Sequence, residues 1–537
     1  MFNRRSLALP ILLAALATPL AAQLVSTEKV DLDALYRIKD EGLQHSKVME
    51  LESYLTDVYG PRLANSPEIK EAGEWAQKTM KEWGLANVHS EPWHFGRGWH
   101  NERMVAVAVS PRAYPLIAYP KPWTPGTNGP VTAEAVLAVI TTEKDFDTWR
   151  GKLKGKFVLT MPMRDVPAHF EAPGHRYTDA ELADLAKQPE ARGGRGRGNF
   201  QAQQEFNKKR TQFFKDEGVA ALLDFSRGDG GTVFVQAPQG VSRDPKDPLQ
   251  PTQVTLTVEH YGRIVRTLEK KIPVTLQLDV DNRFYDDDQN AFNLAGEIPG
   301  GDKADEIVMI GAHFDSWASG TGATDNAAGS AVMMEAMRIL KTTGVKLRRT
   351  VRIGLWGGEE EGLLGSKEYV KAHFADPATM VLKPEHAKLA AYFNVDNGTG
   401  QIRGVYLQGN EAVAPIFKAW MEPFHNMGMT TLTIDNTGGT DHLSYDAVGL
   451  PGFQFIQDEL DYDTRTHHSN MDVVERAPKP DLMEIAAVWT SFAYHAAQRD
   501  QMLPRRPLPP EPPAEARPDA RPAGAAKPAE KPAAPAK

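Results

Sequence analysis

The 537 residues contain no cysteine, which excludes disulfide staples and thiolate metal ligands and leaves His, Asp and Glu to bind any metal. A strong excess of either charge is also missing. A net charge of −9 and a pI near 6.0 give no global attraction for nucleic acid or anionic membranes. Beyond Ala22 no run approaches the ~20 apolar residues that a membrane span requires, so none is expected. With 41% hydrophobic residues the chain can bury one large core and a smaller one, which excludes a fully disordered protein.

Arg4 and Arg5 precede an apolar stretch from Leu7 to Leu16, then Pro19, Ala21 and Ala22. This is the layout of a secretory signal cleaved after Ala22; Pro10 and Pro19 disfavour the alternative of a buried N-terminal helix. The expected location is therefore periplasmic or extracellular. At the other end, residues 503–537 are Pro, Ala, Arg, Lys and Glu with few apolar anchors, a composition that cannot offset its own ordering entropy and is expected to form a disordered tail.

Between these ends, Ser66 and Pro67 read as N-cap and first helical residue. Ile69, Ala72, Ala76, Met80 and Trp83 recur at helical spacing, and Gly84 supplies the stop. From Ile307 onward, short apolar runs (Ile307–Ile310, Val351–Trp356, Leu389–Val395, Gly452–Ile456) alternate with helical stretches such as Ala328–Leu340. That alternation predicts an α/β fold, with a mixed, mostly parallel sheet flanked by helices. Residues 126–282 have a different texture, with strands predicted at 135–141, 155–159, 220–224, 252–258 and 273–280. They read as a β-rich insert. The Gly193–Gly198 Arg-Gly segment within it reads as a loop rather than a nucleic-acid binder, being one short copy in an acidic chain.

In open α/β sheets ligands gather at the carboxyl ends of strands, and here the residues in those places are metal-binding types. His313 ends the first run, with Asp315 two residues on to orient it. Asp325 precedes the next helix, where an N-cap role is the simpler reading if it is taken alone. Glu359, Glu360 and Glu361 follow the third run as adjacent like charges that repel unless a cation compensates them. Asp396 ends the fourth run, and His468 lies downstream. Carboxylates and imidazoles without sulfur suit zinc, and are compatible with manganese or cobalt.

The order His313, Asp325, Glu359-Glu360, Asp396, His468 resembles the di-zinc aminopeptidase and glutamate carboxypeptidase family, metallopeptidase family 28. The resemblance extends to Asn293–Glu297, Asp441-His442, Gly449–Pro451 and Tyr59–Leu63, the last most like its carboxypeptidase Q branch. It implies a zinc-peptidase, phosphorylase/hydrolase-like fold in two parts, 23–125 and 283–502. Residues 126–282 are then similar to a protease-associated domain by position and texture. It implies two Zn2+ ions bridged by Asp325, with His313 and Asp396 completing one site and Glu360 and His468 the other. Glu359 is left free as general base, since a water acidified by metal can pass its proton to a nearby carboxylate and on to the leaving amine. The resemblance further implies a cis Asp325-Asn326 peptide, a solvent-facing Glu361, His467 lining the site, and exopeptidase action on small peptides. A free α-amine held by Asp458, Glu459, Asp461 and Asp463, or a carboxylate gripped by Arg465, are further expectations. Two alternatives share the fold: a receptor-like protein that has lost its ligands, and a one-zinc glutaminyl-cyclase-like enzyme. The oligomeric state is not set by the sequence, and a homodimer is compatible with it.

Overall fold

The computed structural model describes residues 28–187 and 200–508. The expected signal segment 1–22, the Arg-Gly segment and the chain from 509 onward lie outside the described residues.

The C-terminal half, joined by one strand from the N-terminal part, builds an eight-stranded sheet. Its order is Ala86–His94, Asn290–Ile298, Arg349–Trp356, Lys303–His313, Leu389–Asn394, Gly452–Gln457, Ile402–Tyr406 and Thr431–Thr433. The four central strands, from Arg349–Trp356 to Gly452–Gln457, are mutually parallel, and antiparallel strands flank them on both sides. The mixed, mostly parallel sheet read from the sequence is thus the sheet observed. Parallel register brings the carboxyl ends of these strands to one edge.

Side chains alternate across this sheet as a pleated strand requires. Val308, Ile310 and Ala312 pack into one core with Ala328–Thr343 and Lys479–Gln498, while Ile307 and Met309 join Tyr369, Tyr392 and Tyr445 on the other face. Both faces are covered, which explains why the strands read as unbroken apolar runs. Gly311 is required within that second face: a Cβ there would lie 2.7 Å from both the Gly354 carbonyl and the Tyr392 hydroxyl.

The predicted N-terminal helix spans Pro67–Glu82, with the Ser66 hydroxyl accepting from the Ile69 amide. It buries Ile69, Ala72, Ala76 and Met80, the stripe that the sequence spacing picked out.

The inserted unit is a second eight-stranded sheet that includes Gly98–Ser110, Val131–Leu137, Phe157–Leu159, Ala221–Phe225, Gln253–Leu256 and Thr275–Tyr285. It carries the helices Phe200–Glu217 and Val258–Glu269, so it is an α/β unit rather than only a β-rich one. Gly98–Ser110 pairs along Thr275–Tyr285, so the sheet takes in residues upstream of 126. At the other end the ordered chain runs past 503. Leu503 is buried, and the Arg505 guanidinium donates to the His386 and Leu389 carbonyls at 2.9 and 2.7 Å.

Arg62, fully buried, fastens the N-terminal segment to the sheet edge. It donates to the carbonyls of Phe314 (2.9 Å), Leu55 (2.7 Å), Thr321 (3.1 Å) and Gly322 (3.0 Å). Replacing it by Leu would strand several of these carbonyls in the interior, at about 1–3 kcal/mol for each left unsatisfied. Arg62→Leu is expected to lower stability by at least ~3 kcal/mol, read from urea denaturation; an unchanged midpoint would show that water substitutes for the guanidinium.

Candidate metal centre

The site lies where the parallel strands end. His313 closes its strand, with Nδ1 3.0 Å from the Asp315 carbonyl oxygen. A proton held there leaves Nε2 as the free donor atom. His313 Nε2 is 3.1 Å from Asp325 Oδ1 and 3.1 Å from Asp396 Oδ1. His468 Nε2 is 3.2 Å from Asp325 Oδ2 and 2.9 Å from Glu360 Oε2. The two oxygens of Asp325 therefore face different imidazoles, and all five predicted donors converge.

Local structure explains how each donor is placed. The Asp325-Asn326 peptide is cis, as the resemblance implied. The helix after it is capped by Asn326 rather than Asp325: the Asn326 Oδ1 accepts from the Gly329 amide at 2.9 Å, and its Nδ2 donates to the Val395 carbonyl at 2.8 Å. Asp325 is thereby freed from the N-cap role that its position suggested. The Asp315 carboxylate accepts from the Glu359 amide (3.1 Å) and the Glu360 amide (3.3 Å), tying the acidic turn to the His313 strand. Asp472 accepts from the Thr324 amide at 2.6 Å, one residue before Asp325.

Glu359 also lies in the cluster, its carboxylate grouped with the donor atoms of His313 and Asp396. Burial pushes the Glu359 and Glu360 carboxyls well above the usual range, and neighbouring carboxylates add to the shift. For Asp325 burial acts in the same direction, but the His313 and His468 imidazoles outweigh it and hold this carboxyl well below the usual range.

These donors fit a divalent cation pair. Separations of 2.9–3.2 Å lie near the ~3.3 Å edge of a tetrahedron whose ligands stand ~2.0 Å from its centre. Hydrogen bonds alone would give similar distances, so burial decides the matter. Glu359, Glu360, Asp325 and Asp396 crowd together with their side chains largely buried, and buried carboxylates are costly without a cation.

An open cleft of about 620 Å³ leads to this cluster, and its lining includes Tyr177, Lys367, Tyr406, Thr437–Thr440, Glu459, Tyr462, Asp463 and His467. His467 lines it as expected, its ring stacked on Tyr462 at 4.5 Å. Other expectations are corrected. Glu361 does not face solvent: both its carboxyl oxygens are buried without hydrogen-bond partners, and burial pushes it up to about 8. Asp458 cannot hold a substrate amine, because it is fully buried and ion-paired with Arg176 at 2.9 Å and Arg403 at 3.0 Å. Arg465 turns to Asp461, 3.9 Å away. Of the acidic loop, Glu459 and Asp463 reach the cleft.

Tyr177 and Asp441 had no assigned role in the sequence reading. Tyr177 comes from the inserted unit, its hydroxyl donating to Glu459 at 3.0 Å, a proximity that no sequence spacing announces. Asp441 was visible only as part of a matching stretch; its buried carboxyl is raised to about 7 by burial.

Known proteins resemble this chain in sequence and fold. Residues 293–493 match the model of peptidase family M28. Carboxypeptidase Q from Mus musculus is 26% identical over 477 residues, covering 88% of this chain and 90% of the relative. The Bos taurus carboxypeptidase Q is 25% identical, with 86% and 88% covered. Among solved structures, a peptidase M28 precursor from Shewanella amazonensis aligns with a TM-score of 0.63 at 25% identity, covering 89% of this chain and 99% of that one. A zinc aminopeptidase from Bacillus subtilis shares the fold, with a TM-score of 0.55 at 19% identity and coverages of 84% and 95%.

The crowded carboxyls set a pH dependence. Asp472 is raised to about 7 by burial, whereas its unfolded value is about 4. Between those values the folded state binds more protons than the unfolded, so this contribution to stability falls as pH rises from about 4 to 7. With a chelator present, thermal unfolding midpoints of the wild type should drop across that window, and Asp472→Asn, which retains the acceptor for Thr324, should flatten the slope. Parallel slopes for the two proteins would show that Asp472 is ionised throughout.

Proposed function

We propose that the chain, whose residues 293–493 match peptidase family M28, is an exported exopeptidase of that family releasing amino acids from small peptides with two zinc ions. The observation that carries the reading is Asp325, whose two carboxylate oxygens face His313 and His468 separately, 3.1 and 3.2 Å away. His313 and Asp396 would hold one ion, Glu360 and His468 the other, and Asp325 both. Imidazole and carboxylate donors without sulfur favour zinc, with manganese or cobalt as substitutes. Bound there, such a pair supplies Lewis-acid polarisation of the scissile carbonyl and a water made acidic near neutral pH.

The chain's own residues do the rest. Glu359, in the same cluster as His313 and Asp396 but outside the assigned donors, takes the proton of the attacking water and delivers it to the leaving amine. The Asp315 carboxylate holds the turn that carries Glu359. Glu459 and Asp463 give the cleft an acidic wall and Lys367 a basic residue, so free peptide termini would find opposite charges there.

Export rests on the Arg4–Ala22 layout. Among the described residues no helix is long and apolar enough to cross a membrane. The receptor-like alternative supposes lost ligands, whereas all five donors and Glu359 stand together here. The inserted unit, similar in position to a protease-associated domain, forms part of the cleft wall through Tyr177.

Metal content of the purified chain, measured with amino-acid release from unblocked dipeptides, tests the reading. Wild type and Glu359→Gln should both carry two zinc equivalents, with turnover in the variant down by about 10²–10⁴-fold. Pyroglutamate formation in place of amino-acid release would move the assignment to a cyclase, and a metal-free, inactive wild type would move it to a receptor-like protein.

A further inference from the structure

His468 is held in an unusual backbone conformation by the inserted unit. Its φ is 65°, in the left-handed region that residues with a Cβ seldom adopt and that persists where surrounding structure over-determines it. The surrounding structure here is the loop 231–236 of the inserted unit. Its Val235 amide donates to the His468 carbonyl at 2.9 Å, and the Asn470 amide donates to the Val233 carbonyl at 3.1 Å. Phe234 and Ser469 form an isolated antiparallel bridge between these two bonds. The Asn470 side chain closes the arrangement, accepting from the Val233 amide at 2.7 Å and donating to the Gly231 carbonyl at 3.2 Å. The segment carrying His468 is thus paired, residue for residue, with the insert.

The same loop reaches the imidazole itself. The Gln236 side-chain amide nitrogen lies 2.8 Å from His468 Nδ1, on the opposite side of the ring from the Nε2 that faces Asp325 and Glu360, and with the amide turned over its oxygen takes that place. We propose that Gln236 is a positioning residue for His468, fixing the ring's orientation and its Nδ1-protonated tautomer so that Nε2 is presented to a metal ion. This rests on the di-zinc reading above.

An amide suits the task because its two ends are nearly the same shape and exchange by rotation. Its NH2 donates to Nδ1 when Nε2 carries the proton, and its carbonyl accepts from Nδ1–H when Nε2 binds a cation. His313 obtains the equivalent contact from the Asp315 carbonyl, close in its own chain segment. His468 obtains it from a side chain in the inserted unit. The insert is then a structural part of one metal site, beyond walling the cleft, and one of the two ions depends on it while the other does not.

The test is zinc affinity, measured by competition with a chromogenic chelator on purified full-length wild type, Gln236→Leu and Gln236→Glu. Partners of this kind typically contribute 10- to 100-fold in metal affinity, and Gln236 is exposed, so Gln236→Leu is expected to weaken one of the two zinc ions by on the order of 10-fold. The second ion should be unchanged. Gln236→Glu, which keeps an acceptor for Nδ1–H, should retain wild-type affinity. Thermal unfolding of the chelator-treated proteins should coincide, which separates positioning from folding. Wild-type affinity for both ions in Gln236→Leu, or a loss in Gln236→Glu equal to that in Gln236→Leu, overturns the inference and leaves the di-zinc reading intact. A wild-type chain that takes up no zinc overturns both.

Discussion

Asp325 presents Oδ1 to His313 and Oδ2 to His468, and that shared carboxylate constrains the structure around it. His313 arrives at the end of a central parallel strand and His468 on a loop far downstream, so a single side chain must sit between two independently placed segments. The chain meets this demand with separate fasteners. Asn326 takes over the helix cap, Asp472 holds the Thr324 amide, and Arg62 clamps the Phe314, Thr321 and Gly322 carbonyls that lead into the turn. Each uses a hydrogen-bonding group to fix backbone, leaving the Asp325 carboxylate itself uncommitted to local structure.

Charge follows from the same geometry. Collecting Glu359, Glu360, Asp325 and Asp396 around two imidazoles concentrates negative charge where water cannot screen it. Burial drives Glu359 and Glu360 toward their neutral forms, and Asp441 and Asp472 farther out are raised as well. Such a cluster is poor design for stability alone. It becomes reasonable when divalent charge is the counterpart.

The inserted unit takes part in this arrangement. Tyr177 reaches the cleft through its bond to Glu459, Arg176 joins Asp458 to Asp481, and the 231–236 loop pairs with the His468 segment. The unit is therefore bonded to the loops at the mouth of the cleft on two fronts. An insertion in the sequence has become a wall and a brace in the structure.

The sequence by itself determined the periodic parts: the Ser66-capped helix, the central strands, their burial on both faces and the donor types at their ends. These are local properties, carried by spacings of two or three to four residues and by which side chains follow an apolar run. Strand-end position marked His313, the Glu359–Glu361 run and Asp396 as candidates, because ligands collect there in parallel sheets; singling out Asp325, Glu360 and His468 rested on the family resemblance. Only the tertiary structure decided which of their atoms face one another, that Asp458 is locked in ion pairs, and that Glu361 turns inward. It also decided that Tyr177 lines the cleft and that Gln236 lies beside the His468 ring. The reason is that contacts between segments far apart in the chain depend on the packing of whole units, and packing leaves no period in the sequence to read.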